Sequence, residues 1–256
     1  PLPIWQNIDK TYTNKLRYIC MRELLLNFFL GEPPAPPPVP VRRETYVKRF
    51  TTICHWLAKY RFDSLELSGG ENCRPDGPVV LYANHPDFWD PIVCALVCRT
   101  LLPGHQVFAP IDAEALKTHW YFQGLGFFGV DQNSVRGLRD FLKIGESVLR
   151  NVDRPCLVLT PEGRFTDPNE RPVVFRRGLS ALLDRVPDVA AHPLALNYRM
   201  TEKGSRTVSA YLGHATSFKG LSRRELHSAL EESMERALDL NAQPDRRGPN
   251  ILEASQ

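Results

Sequence analysis

The chain has 256 residues, 43% of them hydrophobic and 24% charged, which is enough for one large domain with a full core and a small appendage. The apolar stretches are too short to span a bilayer, and no basic stripe with interleaved aromatics points to nucleic acid. The formal net charge of +3 permits an anionic membrane surface or an anionic substrate without requiring either. Six cysteines (Cys20, Cys54, Cys73, Cys94, Cys98, Cys156) form no C-x-x-C pair, so small buried thiols in a reducing compartment are expected rather than a disulfide framework. No cleavable signal peptide is read, and the chain opens on Pro1 rather than Met, so the natural N-terminus is expected upstream.

Residues 15–30 have the length of a helix, with Lys15, Arg17, Arg22 and Glu23 near the front and an apolar surface nearly all round from Leu24 to Leu30. Two readings stay open: a monotopic element with Phe28 and Phe29 below the headgroups, or a helix packed on the domain. The run 32–40 holds six prolines and reads as a semi-rigid polyproline II spacer. The expected organisation is an appendage over 1–40, a catalytic domain over 41–240 and a disordered tail over 241–256. Residues 42–60 are amphipathic, with Val47, Phe50, Ile53, Trp56 and Leu57 at helical spacing, and Leu65 and Leu67 alternate with polar residues up to a Gly69-Gly70 turn.

From there helices and strands alternate. Strands are expected over 78–83, 106–111, 126–130, 156–160, 190–198 and 206–212, and helices over 92–102, 113–122, 135–150 and 177–186. Ser222 and Glu225 form a capping box that opens a last helix whose apolar face is Leu226, Leu230, Met234, Ala237 and Leu238. The alternation predicts an α/β fold: a mixed, mostly parallel sheet flanked by helices, with an N-terminal helical appendage. Sites in such sheets gather where strands end and helices begin.

Two stretches carry chemistry at such places. The apolar run 78–83 ends in Asn84-His85, and a helix start follows at Asp90-Pro91. Across a turn, His85 and Asp90 can meet as a general base and the carboxylate that orients its ring. Asp90 as a plain N-cap and His85 as a satisfied polar residue are the alternatives. The second stretch, Thr160-Pro161-Glu162-Gly163-Arg164, again follows a buried strand. Glu162 can fix a hydroxyl or a loop, Gly163 admits close approach to the backbone, and Arg164 can pair with an oxyanion.

Together these stretches resemble the glycerolipid (lysophospholipid) acyltransferase family. Asn84-His85 with Asp90 matches its N-H-x-x-x-x-D block. Gly126-Phe127-Phe128-Gly129-Val130-Asp131 is similar to the second block, and Thr160-Pro161-Glu162-Gly163 to the third. Phe175-Arg176-Arg177-Gly178 looks like the F-[KR]-[KR]-G that often follows, and His192-Pro193 stands where a proline-containing strand is expected. Gln132 replaces the arginine that closes the second block, and Phe165 occupies an arginine position of the third. Arg136, Arg164, Arg176 or Arg177 can replace that charge, or the acceptor carries no phosphomonoester.

The resemblance implies a glycerol-3-phosphate acyltransferase-like fold and acyl transfer from acyl-CoA or acyl carrier protein to the hydroxyl of a lysophospholipid or related lipid. His85 would be the base and Asp90 its partner, with Asn84, Glu162, Gly163, Arg164 and Arg177 around the acceptor. Phe88 and Trp89 would either wall an acyl channel or anchor the core. No metal and no cofactor beyond the thioester co-substrate are expected. The protein would sit peripherally on the cytoplasmic face of a membrane. A catalytically silent lipid-binding or membrane-scaffolding member of the same fold is the competing reading.

Overall fold

The computed structural model describes residues 39–73, 76–118, 122, 124–200 and 206–253. They belong to one unit, Pro38–Gln256, and the helix expected over 15–30 and most of the Pro-rich run lie outside the described residues.

Seven strands form one sheet: β1 (Ser64–Ser68), β2 (Val79–Ala83), β3 (Gln106–Asp112), β4 (Phe127–Val130), β5 (Pro155–Leu159), β6 (Ala190–Met200) and β7 (Arg206–Leu212). Their order is β1-β7-β6-β2-β5-β3-β4, and every pairing is parallel except β6 with β7. The helices are α1 (Glu44–Arg61), α2 (Asp90–Leu101), α3 (Ala113–Thr118), α4 (Val135–Asn151), α5 (Gly178–Leu183) and α6 (Arg223–Asn241). The chain therefore has the mixed, mostly parallel α/β architecture read from its alternation.

The central strands read as unbroken apolar runs because helices cover both of their faces. Val80 and Tyr82 of β2 pack with α4, α5 and α6, whereas Val79, Leu81 and Ala83 pack with α1 and α2. β5 alternates in the same way, Leu157 and Leu159 against Cys156 and Val158. Truncating Leu81 or Leu157, both fully buried, to Ala costs about 2–5 kcal/mol. Ser134 caps α4 by accepting from the Gly137 N–H at 3.0 Å, and the capping box of Ser222 and Glu225 opens α6 as read.

Pairing fixes where the loops emerge. Tyr82 stands beside both Leu159 and Pro193, so the loops leaving β2 and β5 share one edge of the sheet. β6 has 11 residues where β2 has five, and it runs on past the end of β2 because β7 pairs with it as far as Met200. That overhang places Leu196 and Tyr198 beside the loop that carries His85.

Two expectations change. The tail expected to be disordered is ordered through residue 253. The Leu67 N–H donates to Pro249 O at 3.1 Å, the Ile251 N–H donates to Leu65 O at 2.9 Å, and Ile251 and Leu252 are buried. A polar composition hid two apolar residues that the open edge of β1 could hold. The amphipathic helix α1 forms as expected, yet it buries Cys54, His55 and Ala58 and leaves Ile53, Trp56 and Leu57 exposed.

Candidate active site

The loop after β2 is held by its first residue. Asn84 is buried; its amide N–H₂ donates to Leu196 O at 2.9 Å and its amide oxygen accepts from the Leu196 N–H at 2.7 Å. Both ends of the side chain thus stitch the loop to the β6 overhang, and the contacts of Asn84 are those of a brace for the loop.

Trp89 is the N-cap of α2, with no side-chain capping bond, and Asp90 is the first helical residue, followed by Pro91. Asp90 is therefore not the N-cap. Its carboxylate is 2% exposed and takes three donors from elsewhere. Oδ2 lies 2.6 Å from His85 Nδ1 and accepts from the Asp87 N–H at 3.2 Å; Oδ1 accepts from the Tyr198 hydroxyl at 2.6 Å. An ionised carboxylate only accepts, so Nδ1 of His85 carries the hydrogen in that bond and the lone pair rests on Nε2. Nε2 makes no hydrogen bond to a described residue, and the imidazole borders a long cleft. The imidazole is thus held in the tautomer that leaves Nε2 able to accept a proton.

The loop after β5 is laced to this one. The Glu162 carboxylate accepts from the Thr166 hydroxyl at 2.5 Å and from the backbone N–H of His85, and the Thr166 N–H donates to His85 O at 3.0 Å. Burial pushes the Glu162 carboxyl above the usual range, against the pull of those two donors. Of its two sequence-level roles, the loop clamp is the one its contacts display. Gly163 has φ +66°, and a Cβ there would lie 2.4 Å from Arg176 Nε. The space its missing side chain leaves is filled by Arg176, whose guanidinium donates to Gln132 O at 3.0 Å. Arg176 thereby joins the ends of the second and third sequence blocks.

The remaining cations lie further out. Arg164 borders the cleft, but both of its terminal nitrogens pair with the Glu170 carboxylate. Arg177 is exposed at the N-cap of α5 and does not line the cleft. Phe165, at a position read only as a lost arginine, lays its ring 4.2 Å from that of His85. Trp89 meets Phe62 edge-on at 5.5 Å, a core anchor, and Phe88 is exposed; neither lines the cleft. Among the described residues no three His, Cys, Asp or Glu side chains gather as a metal-ligand set.

The cleft has a volume of 1320 Å³ and starts at His85 and Asp90. It follows α2 past Cys94 and Cys98 to Leu102, and Val107 and Ala109 of β3 also line it. The 12 residues of α2 make that path about 18 Å long. Burial raises the Cys94 thiol well above its ordinary pKa, and a hydrogen bond with Cys156 together with burial does the same for Cys98, so these thiols act as small apolar wall groups. A base at the head of a long apolar cleft suits a substrate with one reactive polar centre and an alkyl tail.

Tyr198 and Phe165 are the site residues that sequence reasoning missed. The signal for Tyr198 was a tyrosine closing the apolar run of a central strand; its partner lies 108 residues earlier in the chain.

No protein-family model matches the chain, and no curated protein matches it. Among solved structures, the fold is similar to that of the 1-acyl-sn-glycerophosphate (LPA) acyltransferase PlsC from Thermotoga maritima, with a TM-score of 0.56 and 19% identity. The similarity covers 88% of this chain and 90% of that one. At that identity the likeness shows the fold.

Proposed function

We propose that the protein is an acyltransferase that moves a fatty acyl group from acyl-CoA or acyl carrier protein to the hydroxyl of a lysophospholipid or related lipid. The observation that carries this reading is the His85 Nδ1–Asp90 Oδ2 bond of 2.6 Å at the head of a 1320 Å³ cleft, with Nε2 bonded to no described residue. The acyl chain lies along α2, which brings its thioester carbonyl to His85. Nε2 takes the proton of the acceptor hydroxyl as its oxygen bonds to the carbonyl carbon. The carbon–sulfur bond then breaks, and the imidazolium returns its proton to the departing thiolate. Asp90 stabilises the imidazolium between those steps, and no acyl-enzyme is needed. The likeness to an LPA acyltransferase supports this assignment at the level of fold, and lipid substrates agree with a peripheral position on the cytoplasmic face of a membrane.

The Arg164–Glu170 pair favours a second reading for the acceptor alone: a lipid alcohol without a phosphomonoester. In that case the cation beside the acceptor stays engaged with its own carboxylate.

The test is thiol release from palmitoyl-CoA, with and without a panel of lysophospholipids and unphosphorylated monoacyl lipids, for the wild type and His85→Ala. The expected result is acceptor-dependent release that the substitution abolishes, and the panel separates the two acceptor readings. Release indifferent to acceptor would make the protein a thioesterase. No release from palmitoyl-CoA or from a palmitoyl carrier-protein thioester, with folded protein, would leave a lipid-binding protein.

A further inference from the structure

We propose that the outer face of α4 is the docking surface for the protein that delivers the acyl group, an acyl carrier protein with an acidic helical surface. The inference rests on the reading that the site takes an acyl group from a thioester, and it selects between the two donors named there.

The helix α4 has two unlike sides. Phe141, Leu142, Ile144, Val148 and Leu149 are buried in the core. On the opposite side Arg136, Arg139, Lys143 and Arg150 stand at positions i, i+3, i+7 and i+14, within an arc of about 60°, and all four are exposed. They extend over about 21 Å of the helix axis. Leu138 Cδ1 lies 3.7 Å from where a Cβ of Gly178 would stand, which sets the exposed Arg177 beside the first turns.

The acids of α4 are Asp140 and Glu146. Glu146 pairs with Arg150 at 3.1 Å and with Arg185 at 3.5 Å, and Asp140 lies 3.9 Å from Arg136. Arg139, Lys143 and Arg177 have no acidic partner among the described residues. A solvated helix face ordinarily alternates its charges. Here six cations meet two acids, an excess larger than the formal net charge of +3 on the whole chain.

Shape identifies the class of partner. The stripe lies on a convex helix, and none of its cations lines the cleft, whereas sites for small molecules are concave. An acidic helix of another protein can lie along such a stripe and meet matching charge over its length. Val135 and Leu138, 71% and 42% exposed at the first turn of α4, supply the apolar contact that a protein interface sets within a charged rim. The stripe holds none of the aromatic residues on which membrane and single-stranded nucleic-acid surfaces rely. Position agrees with charge. Gln132, just ahead of α4, lines the same cleft as His85, and its carbonyl accepts from Arg176 at 3.0 Å. A carrier lying on α4 therefore ends at the cleft, where its prosthetic arm brings the thioester to His85.

The test uses a holo acyl carrier protein, its palmitoyl thioester, and palmitoyl-CoA as the small donor. Surface plasmon resonance with the holo carrier, which has no acyl group to transfer, is expected to show binding by the wild type. Arg139→Glu/Lys143→Glu is expected to weaken that binding about tenfold or more and to flatten its dependence on salt. In acyl transfer the same variant is expected to raise KM for the palmitoyl carrier protein by a similar factor, with kcat and the KM for palmitoyl-CoA unchanged. Arg139→Lys/Lys143→Arg keeps the charge and is expected to bind as the wild type does. Both positions are exposed, so thermal melts matching the wild type accompany the expected result. Carrier binding unchanged in the glutamate variant would overturn the proposal. So would a KM that rises equally for both donors, which would assign the cations to the phosphates of the small donor and of the prosthetic arm. Loss of binding to phosphatidylglycerol vesicles with carrier binding intact would overturn it as well and give the face to a membrane. Carrier binding that depends on Arg139 and Lys143 in a protein without acyl transfer would uphold the surface and remove the assigned reaction. Transfer from palmitoyl-CoA by a protein that binds no carrier would remove the surface and leave the reaction standing.

Discussion

The Tyr198 hydroxyl donates to Asp90 Oδ1 at 2.6 Å, while the other oxygen of that carboxylate lies 2.6 Å from His85 Nδ1. Burial, and then the neighbouring negative charge of Asp90, push the Tyr198 phenol far above its ordinary pKa. The hydroxyl therefore keeps its hydrogen and remains a donor throughout the working pH range. A buried carboxylate held at both oxygens cannot rotate away from the imidazole, so Tyr198 fixes the geometry of the proposed base without touching substrate.

Tyr198→Phe deletes that donor and leaves the ring, which packs 5.8 Å from Phe62. Hydrogen bonds to charged groups contribute about 1.5–3 kcal/mol, so kcat is expected to fall about tenfold to a hundredfold with KM little changed. A kcat equal to the wild type's would make Tyr198 a packing residue.

What was legible in the sequence follows from how local each signal is. β2 and β5 are buried on both faces, so their apolar runs announce them, and the rule that sites gather at strand ends points to the loops after them. His85 and Asp90 are five residues apart and their meeting was readable across a single turn. Tyr198 was not readable, because its position depends on how far β6 outruns β2, and that length is set by its antiparallel partner β7. Periodicity likewise announced α1 but not which side it turns inward; the Arg99–His55 contact with α2 settles that. The family resemblance alone groups Asn84 and Arg164 around the acceptor. Their partners, the Leu196 backbone and Glu170, belong to segments the motif does not contain.

Asn84→Ala removes both hydrogen bonds to Leu196 and leaves a buried N–H and C=O without partners. The expected cost is about 2–4 kcal/mol, read as a lower urea midpoint with an unchanged slope. A residue that bound substrate would instead raise KM and leave the midpoint in place.

Glu162 gives the stability a pH dependence of defined sign. Its carboxyl titrates above the ordinary glutamate range in the folded protein, chiefly because of burial. Ionising it therefore costs the folded state more than the unfolded one. The contribution of the group is fully present below the unfolded pKa and is lost as pH rises through the higher folded value. Glu162→Gln cannot titrate, so the stability of the wild type relative to this variant is expected to decline with rising pH across that window. Thermal melts of the two proteins over a pH series measure it. A difference that grew with pH would mean that the donors from His85 N–H and Thr166 outweigh burial.

Gly163 and Arg176 are expected to be coupled. At φ +66° a non-glycine residue costs about 1 kcal/mol for its backbone alone. In the wild type an alanine Cβ also meets Arg176 Nε at 2.4 Å, so the guanidinium must swing out and give up its bond to Gln132 O. Gly163→Ala is therefore expected to cost about 2 kcal/mol in the wild type and about 1 kcal/mol in an Arg176→Ala background, the difference being the contact itself. Urea denaturation of the four proteins in the cycle gives that difference directly. Equal costs in the two backgrounds would mean that Arg176 does not rest on Gly163 in solution, and the link it makes between the loop after β5 and Gln132 would go with it.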